Sequence, residues 1–143
     1  ACTASGPAFT PVQLENPKNA LIYIYRSSTL FYSANPEIPI LYVDDKRLLP
    51  LKIGGDTWAS VEPGTHKILV RHSILGVPAF SLGEVSISAE PGAIYYLKFS
   101  QQAGDIVSYG TQVIVTANSK LRPVDETTGL SEIMKTKYLP SDQ

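Results

Sequence analysis

The chain has 143 residues, a formal net charge of −1 and 17% charged residues. This is the length of one ordinary domain, and the near-neutral charge argues against nucleic acid, whose binding proteins normally carry a basic face. No apolar run reaches the roughly 18 residues that a membrane-spanning helix needs. A single cysteine excludes an internal disulfide and a cysteine-rich zinc site, and no metal site is expected.

The one cysteine, Cys2, follows Ala1 and precedes a stretch rich in Pro, Ser and Thr. A small residue before such a cysteine is typical of the cleavage site of a bacterial lipoprotein signal peptide. Acyl chains on this residue, each worth about 0.8 kcal/mol per buried CH₂, hold a soluble domain on a membrane. We therefore expect covalent lipid (palmitate) on Cys2 and no other cofactor. The alternative is an unmodified cysteine at a trimmed terminus, because signal cleavage would also remove Ala1.

Residues 1–19 contain three prolines and little apolar periodicity, which predicts an extended tether. The unbroken apolar and aromatic run at residues 20–26 predicts a strand buried on both faces, with Tyr23 and Tyr25 on one side. After a polar loop at residues 27–39, residues 39–51 read as a hairpin. Its turn is Asp44-Asp45-Lys46.

Two Glu-Pro-Gly sequences, at residues 62–64 and 90–92, each precede an apolar strand. Pro presets φ at the second turn position and Gly supplies a positive φ at the third, so each predicts a type II turn. We expect both turns to link neighbouring antiparallel strands. Between them, Val85, Ile87 and Ala89 alternate with polar residues and predict a half-buried strand. Residues 106–117 predict a last strand that bends near Gly110.

The C-terminal part, residues 123–143, changes to a helical period. Leu130, Ile133 and Met134 form a stripe that Lys137 extends, and Asp125, Thr127 or Thr128 suits the N-cap. With a strand domain at residues 20–122, the predicted fold is all-β. It is an antiparallel β-sandwich of about seven or eight strands with one C-terminal helix.

No catalytic set is convincing. His66 and His72 share a strand face but lie about 20 Å apart, too far to bind one metal ion. A hydrolase would need one of them in a cleft with a paired carboxylate. Asp44 and Asp45 are interpreted as turn formers rather than a cation site. Ser81 lacks the leading glycine of a nucleophile elbow.

Aromatic and apolar residues are better candidates for binding. An exposed tyrosine row can stack on a sugar or anchor a protein interface, although wide rings also cover sandwich edges. The apolar segment at residues 74–80 either covers the end of the core or docks a partner. The candidate interaction residues are Tyr23, Tyr25, Trp58, Leu75, Val77, Phe80 and Tyr96.

Four short segments together resemble a known bacterial family. They are Ala-Leu-Ile-Tyr-Ile-Tyr-Arg at 20–26, Tyr-Val-Asp-Asp-Lys at 42–46, Val-Glu-Pro-Gly-Thr-His at 61–66 and Glu-Pro-Gly-Ala-Ile-Tyr-Tyr at 90–96. Their order resembles the lipoprotein-associated family of domain of unknown function 2846 over about residues 20–138. The hairpin at residues 42–70 also resembles PEGA surface modules. The resemblance implies a β-sandwich on the periplasmic side of an envelope membrane, and no catalytic residues.

Two functions follow as expectations. The first is a non-enzymatic structural lipoprotein, docked onto other envelope proteins of a multi-subunit assembly such as a secretion system, pilus or motor. Because Thr3 follows Cys2 where an inner-membrane retention signal would have Asp, we expect the periplasmic face of the outer membrane. The alternative is a periplasmic module that binds glycan or peptidoglycan through its tyrosines or Trp58.

Overall fold

In the computed structural model two sheets pack face to face, as an all-β sandwich with one short helix. The structure describes residues 3–27, 38–74, 77–109 and 112–140, without the side chains of 73–74, 78–80, 101–109 and 112–119. The described elements are β1 Ala20–Arg26, β2 Ile40–Val43, β3 Lys46–Pro50, β4 Gly55–Val61, β5 Gly64–Ile74, β6 Val77–Ala89, β7 Ile94–Tyr109, β8 Gln112–Val124, α1 Glu126–Ile133 and β9 Lys137–Tyr138.

The larger sheet has the order β8-β7-β1-β4-β9, and the smaller has the order β3-β2-β5-β6. Strand β1 lies in the middle of the larger sheet, antiparallel to β4 and parallel to β7. Strand β9 pairs with β4 only at Gly55 and Asp56. Most of β4 therefore has a strand on one side only, among the residues that the structure describes.

Two apolar layers cover the two faces of β1. The inner core lies between the sheets and includes Ile22 and Ile24, both fully buried. The outer core lies on the other face of the larger sheet and consists of Leu21, Tyr23, Tyr25, Tyr96 and Ile133. Burial of each such side chain contributes roughly 1.5–3 kcal/mol. The prediction that this strand is buried on both faces is confirmed.

The N-terminal segment supplies part of the outer cover, which differs from the expected free tether. Ala4 is buried, and its N–H donates to the carbonyl of Ile53 at 2.9 Å. Farther along, Phe9 packs edge-on against the Tyr23 ring, with 5.3 Å between ring centroids. The tether prediction is wrong. The segment has no regular apolar spacing, but its few apolar residues, such as Phe9, Val12 and Leu14, pack against the apolar outer face of the larger sheet. The boundary placed at residue 122 likewise falls inside β8.

The two Glu-Pro-Gly corners carry the chain from one sheet to the other. The second has the predicted type II form, with Gly92 at φ 72° and the Ala93 N–H donating to the Glu90 carbonyl. The expectation that each corner joins paired neighbours is wrong. Type II turns splay the flanking strands, whereas hairpins need turns with positive φ at the first or both central residues. Asp44 and Asp45, at φ 49° and 65°, form such a turn between β2 and β3.

The structure differs from expectation at residues 106–117 and agrees with it at the start of the helix. The predicted strand at residues 106–117 is instead the end of β7 and the start of β8, which pair from Tyr109 and Gln112. Gly110 lies outside the described residues. Asp125, one of the three candidate caps, is the N-cap of α1, where it accepts from the Thr128 N–H at 2.7 Å.

Of the predicted stripe the helix buries only Ile133, together with Gly129, whereas Leu130 and Met134 are exposed. A glycine permits closer approach than a leucine, so the glycine side of α1 lies against the sheet. Lys137 belongs to β9 rather than to the helix. No helix among the described residues is long and apolar enough to cross a bilayer.

Candidate functional site

A cleft of about 560 Å³ lies between the edges of the two sheets. We call it the edge cleft. The β2–β3 hairpin forms one wall through Val43, Asp44, Lys46 and Leu48, and residues 57–61 of β4 form the other. Glu62, His66 and Tyr138 complete it. Its volume lies within the range of small-molecule sites, about 300–1,000 Å³.

His66 is fixed at one end of the edge cleft by two acceptors. Its Nδ1 lies 2.5 Å from Oδ2 of Asp44, and its Nε2 lies 2.6 Å from the carbonyl oxygen of Glu62. The positive φ of Asp44 in the hairpin turn directs this carboxylate toward β5, where its Oδ1 also accepts from the Lys67 N–H at 2.9 Å. The sequence did not predict this pair, which joins residues far apart along the chain.

The partners of His66 determine its protonation state. A carboxylate and a carbonyl only accept, so both ring nitrogens must donate, and only the imidazolium form does so. The hydrogen bond to Asp44 raises the pKa of His66, against a smaller opposing effect of burial. Burial alone would raise the pKa of Asp44, but the hydrogen bonds from His66 and Lys67 lower it. Because both ring nitrogens donate, neither has a lone pair that could accept a proton. His66 is therefore placed to hold the β2–β3 turn against β5 rather than to act as a general base.

We predict that Asp44→Asn lowers the free energy of unfolding by about 1 kcal/mol near pH 6, the scale of a partly exposed ion pair. Asparagine tolerates the same left-handed backbone, so the change removes charge without straining the turn. The raised pKa of His66 gives stability that is complete below about pH 6.5 and is lost as pH rises through the raised value. The lowered pKa of Asp44 gives stability above about pH 3.9 that is lost as pH falls.

Urea unfolding of the wild type and Asp44→Asn across pH 3–9 checks this prediction. The difference between the two proteins should be largest between the two pKa values and shrink toward either end. A difference that does not vary with pH would contradict an ion pair between the His66 imidazolium and the Asp44 carboxylate.

The acidic pair at the turn is engaged with cations of the protein itself. Asp45 Oδ1 lies 2.8 Å from Nζ of Lys67, in addition to the Asp44–His66 pair. The left-handed backbone of both residues confirms that they are turn formers, as predicted. Within the described ranges, no cluster of three or more His, Cys, Asp or Glu is placed to hold a metal ion.

Trp58 is half-buried and lies between the edge cleft and a second cleft of about 430 Å³. We call this second one the outer cleft. Part of the ring packs against the outer core beside Val12 and Leu14. The outer cleft brings amide and carboxylate side chains beside Trp58, from Gln13, Glu15, Asn16 and Asn19.

The expected exposed row of tyrosines is wrong. Tyr23, Tyr25 and Tyr96 are 3%, 0% and 5% exposed, so they are core residues rather than a binding surface. Tyr23 stacks on Tyr96 with 5.2 Å between centroids, and its hydroxyl accepts from the Val12 N–H at 2.8 Å. The rings of Tyr23 and Tyr25 were predicted to share a face, which they do, but the N-terminal segment and α1 cover that face.

The other predicted interaction residues stay predictions. Val77 is 65% exposed on β6. Leu75 and Cys2 lie outside the described residues, and so does the side chain of Phe80. His72 lies in an irregular part of the β5–β6 ladder and does not line the edge cleft.

Sequence reasoning missed a polar cluster that attaches α1 to the larger sheet. The Tyr25 hydroxyl donates to Oε1 of Glu132 at 2.7 Å, and Lys98 Nζ donates to Oε2 at 2.5 Å. The available signal was Tyr25 itself, because a tyrosine in a strand buried on both faces needs a partner for its hydroxyl.

A comparison with protein families identifies the chain. The model described as "Protein of unknown function (DUF2846)" matches residues 16–112. The chain belongs to the DUF2846 family. The match runs from just before β1 into the start of β8 and so includes both walls of the edge cleft, while α1 and β9 lie beyond it. No curated protein matches the sequence. The likeness of the hairpin to PEGA modules stays a prediction.

Proposed function

We propose that this DUF2846 protein is a non-enzymatic interaction subunit of a bacterial envelope assembly, held at the outer membrane by lipid on Cys2. The observation that carries the proposal is the edge cleft, whose histidine has both ring nitrogens engaged by Asp44 and Glu62. The cleft combines apolar side chains, among them Val43, Leu48 and Val61, with a strand edge, and its histidine has no free ring nitrogen. This combination suits binding rather than proton transfer.

The packing of the N-terminal segment limits the distance between a lipid on Cys2 and the folded body. Ala4 is 6% exposed and Thr3 bridges to Ile53, so the chain is packed on the folded body within two residues of Cys2. Two extended residues span at most about 7 Å. A lipid on Cys2 would therefore hold the body directly against the membrane surface, where its orientation is restricted.

The proposal is tested on the chain extracted from its native membrane. Intact mass should show a diacyl addition on a chain that begins at Cys2, and the same envelope proteins should co-purify in each preparation. A Cys2→Ala variant serves as control and should leave the membrane fraction. A chain without lipid that purifies alone would contradict the proposal.

A second candidate, glycan binding, is favoured by Trp58 alone. A half-exposed ring flanked by amides and carboxylates is a usual stacking platform for a sugar. Three of the four rings considered for this role are buried, which leaves a single platform. Co-sedimentation with purified peptidoglycan tests it. Binding that Trp58→Ala abolishes and Trp58→Phe retains would support it, and absence of co-sedimentation would exclude peptidoglycan as the ligand.

A further inference from the structure

Within the part of the chain that the structure describes, the outer edge of β4 carries a strand at its first residues only. The Lys137 N–H donates to the Gly54 carbonyl at 2.9 Å, and the Leu139 N–H donates to the Asp56 carbonyl at 2.8 Å. Backbone groups of alternate residues in a strand point to the same side. Those of Trp58 and Ser60 therefore point to the same edge as those of Asp56.

Beyond β9 this edge opens onto the edge cleft. Among the described residues, no strand pairs with residues 57–61 on the side away from β1. The five positions span roughly 17 Å at about 3.3 Å per residue, which is the length of an ordinary strand. Exposed edges are templates for pairing with another chain, and proteins usually cover or shorten them.

The walls of the cleft fit the two faces of an added strand. Side chains directed inward would meet Val43, Leu48 and Val61, which are apolar. Side chains directed outward would lie beside Trp58. An occupant with apolar residues at every second position fits this alternation.

We propose that an extended segment of a partner protein adds to β4 as a further strand, hydrogen-bonded to the backbone of Trp58 and Ser60. The edge already binds one strand, β9, so the new strand continues an interaction that the fold itself displays. A saccharide lacks the regular donor and acceptor spacing that this backbone offers. The inference deepens the proposed function, on which it rests, by assigning the partner's binding mode.

The test uses a proline that removes one outward N–H. Ser60→Pro deletes this donor while the bonds of β4 to β1 remain, because proline is tolerated at the outward positions of an edge strand. Ser60→Ala is the matched control, since both variants lose the hydroxyl that accepts from Asn19. The probe is a displayed library of random heptapeptides, selected on the folded full chain.

We expect enriched peptides with apolar residues at alternate positions. Ser60→Pro should weaken their binding at least tenfold, and Ser60→Ala by less than twofold. Amide NMR of the wild type tests the inference even if Ser60→Pro fails to fold. Bound peptide should shift the amide signals of Trp58 and Ser60 and protect these amides from exchange. Lack of enrichment, equal binding to Ser60→Pro, or unshifted amides would overturn the inference, as would a dimer of this chain at the same edge.

Failure of the inference is distinguishable from failure of the proposed function. If the native chain co-purifies with partners and Ser60→Pro retains them all, the strand-addition mode is wrong while the interaction subunit stands. If the native chain purifies alone, the proposed function is wrong whatever peptides bind.

Discussion

Replacing Gly129 by alanine will lower the free energy of unfolding by about 2 kcal/mol, the scale of overpacking a tight contact. A Cβ at this position would lie 2.6 Å from both Cβ and Cγ of Tyr96. Tyr96 is fixed in turn by stacking on Tyr23, so neither ring can easily move aside. The helix must lift instead, which exposes Ile133 and the outer core beneath it.

The sign of this effect is informative. In an exposed helix, glycine to alanine stabilises by up to about 1 kcal/mol through helix propensity. Ser131→Ala, at an exposed position of the same helix, is the control and should change stability by less than about 0.5 kcal/mol. Chemical denaturation of both variants measures the difference. A Gly129→Ala protein as stable as the wild type would mean that α1 does not rest on Tyr96.

The largest polar effect is expected for Glu132→Ala, at about 3 kcal/mol. The change leaves the fully buried Tyr25 hydroxyl without its acceptor and the half-buried Lys98 ammonium without its counter-ion. Burial opposes ionisation of Glu132, but hydrogen bonds from Lys98 and Tyr25 outweigh it and lower the pKa of the carboxyl. The carboxyl thus gives stability above about pH 4.3 that is lost as pH falls through the lowered pKa.

Two milder variants separate the contributions to this cluster. Glu132→Gln keeps an acceptor for Tyr25 and loses the charge opposite Lys98, so it should cost less than Glu132→Ala. Tyr25→Phe removes one hydrogen bond and should cost about 1 kcal/mol. Urea unfolding at pH 7 measures the loss of stability, which should be largest for Glu132→Ala, smaller for Glu132→Gln and smallest for Tyr25→Phe. A Glu132→Ala protein within 0.5 kcal/mol of the wild type would contradict a structural role for the cluster.

The sheets could be predicted from sequence because their signals are local. Ile22 and Ile24 alternate with Tyr23 and Tyr25, and both sets are apolar, so burial on both faces followed from the pattern. What covers the tyrosine face did not follow. The cover comes from residues 3–19, which carry little periodicity, and from α1, whose apolar stripe does not include the Gly129 that packs on the sheet.

The candidate site was harder to predict because it depends on juxtaposition. Asp44 was correctly interpreted as a turn former, yet its role against His66 depends on β2 pairing with β5, a contact between residues 22 positions apart. Trp58 was singled out as an aromatic residue. Its place beside an incomplete strand edge depends on where β9 returns, and a two-residue strand has no sequence signal of its own.

The most direct test of the account is site-specific photo-crosslinking in the intact cell envelope. A photoreactive residue is placed at position 60, beside the edge cleft, and in a matched protein at position 86, exposed on β6. We predict one reproducible protein adduct from position 60, with crosslinks to a continuous segment of that partner, and none from position 86. Absence of a protein adduct at position 60, or the same adducts from both positions, would contradict an interaction subunit that binds through this edge.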